Sequence, residues 1–97
     1  MIKNHTISKN HLVSQAEGNI VSDMDGEKVM LSIHNGKYYN LGEMGGEIWE
    51  RMKEPIIVQE LITTLISQYD VEQNECEEQV TTFLGLLLEE GLMKANL

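Results

Sequence analysis

The sequence predicts an α+β fold, in which a three-stranded antiparallel sheet is followed by three helices. Short apolar segments separated by two turn-forming dipeptides, Asp25-Gly26 and Asn35-Gly36, support the sheet. The helices are supported by the apolar residues after position 41, which recur at spacings of three and four. With 97 residues and 41% hydrophobic content, the chain is long enough for one modest core. We therefore expect one domain.

The first eighteen residues are polar and mixed, and their few apolar residues show no sustained period. We expect residues 1–18 to form an N-terminal tail or a short extra strand. The folded domain is expected to occupy residues 19–97.

Three strands are expected at residues 20–24, 27–34 and 37–41. Both dipeptides favour two-residue hairpin turns, because Asp, Asn and Gly tolerate positive φ values. Two-residue turns would place Asp23 opposite Lys28 and Ile33 opposite Tyr38. In this register one face of the sheet carries Val29, Leu31, Ile33 and Tyr38, and the other face carries Met30, Tyr39 and Leu41. The pattern leaves open which face packs against the helices.

Helical spacing first appears at Met44, Ile48, Trp49 and Met52, and again at Leu61, Ile62, Leu65, Ile66 and Tyr69. Pro55 lies between these two predicted helices. A third helix is expected to begin with a capping box of Asn74 and Glu77 and to stop at Gly91. Three strands with these helices describe a winged helix-turn-helix-like topology, which is usually associated with DNA binding.

The charge of the chain argues against a nucleic-acid partner. The formal net charge is -9, from 16 acidic and 7 basic residues, and the basic residues are scattered. Residues 75–90 of the predicted recognition helix contain five Glu, one Gln and no basic residue. A winged-helix DNA-binding regulator is therefore the alternative of another class, and a cationic peptide fits the charge better.

The sequence offers little for catalysis or metal binding. Cys76 is the single cysteine and has no neighbouring histidine in sequence, although a helix N-terminus could lower the pKa of its thiol. His5, His11 and His34 lack metal-ligand spacing. We expect no catalytic residue, no metal, no cofactor and no enzymatic activity.

The longest apolar runs are only a few residues, so no membrane span is expected. A lone cysteine and the lack of a signal-peptide pattern favour a cytoplasmic location.

The last strand of a meander leaves one row of backbone N–H and C=O groups unpaired. An extended peptide could add to residues 37–41 as a fourth strand. The alternative is that the N-terminal tail or the third helix covers this edge.

The ordered set of residues along the chain resembles the PqqD-like family, whose members are precursor-peptide recognition elements. The resemblance covers residues 20–93 and is carried by Val29-Met30-Leu31, Gly36-Lys37-Tyr38-Tyr39-Asn40-Leu41, Ile48-Trp49-Glu50, Glu60-Leu61, Leu65, Tyr69-Asp70-Val71, Val80, Phe83-Leu84, Leu87 and Glu90-Gly91-Leu92. Residues 19–97 are thus identified as a PqqD-like peptide-recognition domain.

Three positions depart from the usual family pattern. Gly42 stands where Asn is usual, Ser32 where an acidic residue is frequent, and Ile57 where Thr often caps the second helix. Losing that cap is expected to cost about 1 kcal/mol.

The resemblance implies that a leader peptide pairs with the third strand of the meander and lies in a groove beside the third helix. The residues expected to bind it are Lys37, Tyr38, Tyr39, Asn40 and Leu41 on the strand and Cys76, Gln79, Val80 and Phe83 on the helix. The chain looks most like the discrete recognition protein of lasso-peptide pathways. This implies two further partners, a leader protease and a macrocyclising synthetase. A radical SAM peptide-modifying enzyme is the alternative partner, and monomer and strand-swapped dimer both stay open.

Overall fold

The computed structural model describes residues 7–96 and has the predicted α+β class, with a three-stranded antiparallel meander and three helices. A second small sheet accompanies them. In chain order the elements are β1 (Leu12–Gln15), β2 (Asn19–Met24), β3 (Glu27–Ser32), β4 (Lys37–Leu41), α1 (Gly42–Arg51), β5 (Ile56–Ile57), α2 (Val58–Gln68), α3 (Gln73–Glu89) and β6 (Met93–Asn96).

The first turn of the meander is the predicted two-residue turn. Asp25 and Gly26 have φ values of 56° and 84°, and Asp23 pairs with Lys28 as expected. The Lys28 Nζ atom lies 2.8 Å from the Asp23 Oδ1 atom. Positive φ at both central positions matches the right-handed twist of the two strands, which fixes this register.

The second turn is longer than predicted. β3 ends at Ser32, which pairs with Lys37, so Leu31 rather than Ile33 lies opposite Tyr38. Gly36 has a φ of 66° and donates its N–H to the Ser32 carbonyl. The predicted pairing was therefore wrong by two residues. Because side chains alternate with a period of two, this shift leaves the residues within β3 and β4 on their predicted faces, whereas Ile33 falls outside the strand.

The inner face of the meander packs against the helices. Met30 is fully buried, and Tyr39 and Leu41 pack partly against the same core. The outer face carries Tyr38 and Met24, whose side chains are 74% and 59% exposed. The sequence pattern left open which face of the sheet packs against the helices, and the structure shows that it is the face that carries Met30.

The N-terminal segment belongs to the second sheet. β1 lies between β5 and β6 and pairs antiparallel with both, and Val13 is fully buried in the core. Residues 9–11 also reach the start of α2, where Val58 and Gln59 donate their N–H groups to the carbonyls of His11 and Lys9. Ile57 is the N-cap of α2 and makes no side-chain cap bond, as expected. The carbonyls of the N-terminal segment satisfy these helix N–H groups instead.

The N-terminus of α3 differs from the prediction, whereas its C-terminus agrees with it. Its N-cap is Glu72, whose side chain accepts the Glu75 N–H at 3.2 Å, so the predicted capping box at Asn74 and Glu77 was wrong. At the other end Gly91 adopts a φ of 75° and stops the helix as expected. Within residues 7–96, no helix is both long and apolar enough to cross a bilayer.

Candidate functional site

The free side of β4 is the first component of the candidate site. The meander has the order β2-β3-β4, so β4 is an edge strand, and within residues 7–96 no other strand pairs with its outer side. An edge strand presents unpaired backbone N–H and C=O groups that can pair with another extended chain. Among the described residues, nothing pairs with this edge of β4, so it is open to strand addition in that part of the chain.

The N-terminal segment does not cover this edge in the part of the chain that the structure describes. β1 is paired on both sides, with β5 and with β6, and the backbone N–H groups of Gln15 and Ala16 donate to Met52 and Leu92. These bonds anchor residues 12–16 in the second sheet. Within residues 7–96, the N-terminal segment therefore does not fill the edge of β4, contrary to the alternative that the sequence left open.

A groove runs between β4 and α3. Its volume is about 430 Å³, and the side chains that line it include Lys37, Tyr39, Leu41, Phe83, Leu86 and Leu87. We refer to this space as the β4–α3 groove. Its walls are mostly apolar, and such a cleft can bury apolar side chains of a ligand.

Alternation along β4 divides its side chains between the groove and the outer surface. Lys37, Tyr39 and Leu41 point to the groove side, whereas the Tyr38 side chain projects from the opposite face. The Asn40 side chain donates to Glu27 at 3.1 Å and accepts the Gly42 N–H at 2.9 Å. Among the expected β4 residues, Tyr38 can therefore reach an added strand mainly through its backbone, whereas Asn40 also borders the groove.

Four side chains close one end of the groove. The Tyr39 hydroxyl donates to the Glu90 carboxylate at 2.8 Å, and the Asn35 side-chain amide donates to the Tyr39 hydroxyl at 3.1 Å and to the Glu90 carbonyl at 3.0 Å. The Lys37 Nζ atom is 3.7 Å from the Glu90 carboxylate. We call these four residues the clamp, because they join the β3–β4 turn to the end of α3.

The helix side of the site contains two of the four expected residues. Phe83 is half-buried and lines the groove, and Gln79 lies on the exposed face of α3 that continues from it. Cys76 and Val80 are fully buried in the core. The expectation for these two is corrected, because a side chain without exposed surface cannot contact a peptide in the groove.

Sequence reasoning missed three helix-side residues that line the groove. Leu86 is 56% exposed, while Leu87 and Glu90 complete the wall. One signal was present, since Leu86 widens the apolar stripe of α3 on the Phe83 side. No sequence signal identified the Glu90 contacts, because Asn35 and Glu90 are 55 residues apart in the chain.

Cys76, the single cysteine of the chain, is buried in the core. Burial raises the pKa of the Cys76 thiol, and the nearby Glu77 charge raises it further, so the expected effect of the helix N-terminus does not prevail. A thiol that is buried and protonated at neutral pH is a poor nucleophile. Among residues 7–96 there is no group of three or more His, Cys, Asp or Glu side chains placed to hold a metal.

Comparison with known proteins gives two matches. The family model described as coenzyme PQQ synthesis protein D (PqqD) matches residues 27–93. Among solved structures, the chain is similar to TbiB1 in complex with the TbiA(beta) leader peptide, at 23% sequence identity and a TM-score of 0.75. That similarity covers 84% of this chain and 94% of TbiB1, and it shows a shared fold. The search of curated proteins found no match.

Proposed function

The chain belongs to the PqqD family, and we propose that it binds the leader segment of a ribosomally made precursor peptide by strand addition to β4. The observation that carries the proposal is that the edge of β4, which no strand within residues 7–96 pairs with, lies beside an apolar groove. The fold is shared with a protein whose solved structure contains a leader peptide.

Strand addition supplies affinity without demanding a particular ligand sequence. The free N–H and C=O groups of β4 would pair with the ligand backbone, as in other complexes formed by strand addition. Each net hydrogen bond contributes about 0.5–1.5 kcal/mol, so several are needed to offset the cost of ordering a flexible peptide.

The β4–α3 groove supplies specificity. Alternate side chains of an added strand would point towards Leu41, Phe83 and Leu87. At about 430 Å³ the groove has room for apolar side chains from the ligand. A leader with apolar residues at alternate positions is therefore the best complement.

Delivery is the second part of the proposed function. A leader held on this protein would raise the effective concentration of the attached precursor at any enzyme docked to the same protein. We propose a leader protease and a macrocyclising synthetase of a lasso-peptide pathway as these enzymes, supported by the fold shared with TbiB1. A radical SAM peptide-modifying enzyme is the alternative partner, and the match to the PqqD family model supports it. In either case the leader would occupy the β4–α3 groove.

We propose that the protein itself makes and breaks no bond. The buried Cys76 thiol, with its raised pKa, supports this role. A reducing cytoplasm is the proposed location, because a lone cysteine forms no internal disulfide.

Titration of the isotope-labelled protein with the leader peptide encoded beside it tests the proposal by NMR. We expect amide shifts in β4 and along the groove face of α3, and weaker binding for Phe83→Ala. Leu88→Ala is the matched control, because Leu88 is also a half-buried apolar residue of α3 but does not line the groove. Shifts confined to other surfaces, or equal losses in both variants, would contradict strand addition at β4.

A further inference from the structure

The β4–α3 groove continues past the end of β4. A second segment of about 510 Å³ follows the exposed face of α3, and its lining includes Glu75, Glu78 and Gln79. Phe83 and Leu86 line both segments, so the two adjoin each other along α3, and we call them together the channel. We call the second segment the acidic segment.

The order of the two segments follows from how β4 lies against α3. Lys37 approaches Glu90, whereas Leu41 lies near Phe83 on either side of Gly45. β4 therefore runs antiparallel to α3, and the acidic segment lies beyond the C-terminal end of β4. The clamp lies at the opposite end of the groove, so the acidic segment extends the groove at the C-terminal end of β4.

The charge of this segment is not balanced by the residues that the structure describes. Glu75 and Glu78 are exposed, and neither takes part in the ion pairs found within residues 7–96. The α3 sequence from Gln73 to Glu89 contains no basic residue. Opposite charge on a ligand is thus favoured here.

The apolar wall of the acidic segment favours a long cationic side chain over a small cation. Phe83 and Leu86 provide a surface on which the methylene stem of Lys or Arg can lie, with the charged head among the glutamates. The ring of Phe83 also offers a cation–π contact.

We propose that the peptide bound in this channel carries a Lys or Arg residue that occupies the acidic segment, four residues from an apolar residue in the β4–α3 groove. The spacing follows from α3, on which Glu78 and Leu87 are nine positions, or about 13.5 Å, apart. An extended peptide covers this distance in about four residues at about 3.3 Å each. An even spacing also keeps both side chains on the same face. The inference rests on the proposed function and defines the class of leader that the site accepts.

The probe is a phage-displayed library of random peptides, selected on the immobilised full chain. Enriched sequences are then synthesised with a fluorescent label, and their Kd values are measured by anisotropy. Glu75→Gln/Glu78→Gln is the test variant. Glu54→Gln/Glu60→Gln is the matched control, because Glu60 also lies in the first turn of a helix and neither residue lines the channel.

We expect enriched peptides to carry Lys or Arg four residues from an apolar residue. The test variant should bind them about twofold to fivefold more weakly at low salt, as typical for exposed ion pairs. Changing the peptide Lys or Arg to Gln should cause no further loss in that variant. The difference should shrink as salt rises from about 0.02 M to about 0.5 M.

The possible failures are distinguishable. Peptides that bind, lose affinity with Phe83→Ala and show no basic preference would overturn this inference and leave the proposed function in place. Peptides that lose affinity equally in the test and control variants would also overturn it, since the effect would be one of net charge. If no enriched peptide depends on Phe83, the proposed function fails together with the inference.

Discussion

Removal of the Tyr39 hydroxyl tests whether the clamp holds the end of the groove together. In Tyr39→Phe the ring stays in place, but the hydroxyl no longer donates to Glu90 at 2.8 Å or accepts from Asn35 at 3.1 Å. Asn35 keeps its second bond, to the Glu90 carbonyl. The substitution therefore removes two hydrogen bonds and creates almost no cavity.

The expected cost is about 1 kcal/mol. Each bond contributes about 0.5–1.5 kcal/mol net, and the larger value for a carboxylate acceptor must be reduced here because of solvent screening. The Glu90 side chain is 38% exposed. For a domain of 60–100 residues, a loss of about 1 kcal/mol lowers Tm by about 4–8 °C.

Thermal and urea denaturation, followed by circular dichroism, measure this effect. Tyr38→Phe is the matched control, because the neighbouring Tyr38 is 74% exposed on the outer face and should change Tm very little. A double-mutant cycle with Glu90→Ala isolates the Tyr39–Glu90 coupling, which we expect to be about 0.5–1 kcal/mol. Additive effects in that cycle, or equal Tm values for Tyr38→Phe and Tyr39→Phe, would refute the clamp.

Four further outcomes follow from the structure. Met30→Ala should lower the free energy of unfolding by about 2–5 kcal/mol, whereas Met24→Ala, on the outer face, should change it by less than about 0.5 kcal/mol in the same urea titration. Gly45→Ala should weaken peptide binding measured by anisotropy, because the new Cβ would lie 2.9 Å from the Phe83 ring and push it towards the groove; an unchanged Kd would contradict this. Burial raises the pKa of the Cys76 thiol above its ordinary value of 9.0, so below pH 9.0 the thiol should not affect stability. Above pH 9.0 the free energy of unfolding should fall as pH rises through the folded-state pKa, because the thiol of the unfolded chain loses its proton at a lower pH than the buried thiol. Cys76→Ala should lack this loss in urea titrations across that range. Binding to duplex DNA, measured by anisotropy at low salt, should be absent, and strong salt-dependent binding would favour the winged-helix regulator.

Local sequence signals were reliable where a single short-range interaction decides the structure. Asp25 and Gly26 fixed a two-residue turn, and Gly91 ended α3, because each needs only its own φ value. The same reasoning failed at Asn35-Gly36, where the side chain of Asn35 is bonded to Tyr39 and to Glu90. These contacts, one of them with a residue 55 positions away, accompany a longer turn than the dipeptide alone favours.

In the candidate site, too, the sequence predicted the local pattern but not which neighbour each side chain contacts. Apolar periodicity placed Cys76, Val80 and Phe83 on one stripe of α3, and it could not say which of them meets the core and which meets the groove. The packing of α3 decides this, because Cys76 and Val80 are fully buried while Phe83 turns partly towards β4. A stripe on a helix is wider than one contact surface, so two neighbours divide it.

The sequence by itself determined the α+β class, the meander, its two faces and the acidic character of α3, since these depend on periodicity, turn residues and composition. Only the tertiary structure decided that β1 joins the second sheet and that, as far as residues 7–96 are concerned, the edge of β4 is left open beside a groove. The physical reason is that backbone hydrogen bonds between strands do not depend on side-chain identity. Which strand takes which partner is set by the packing of the whole chain.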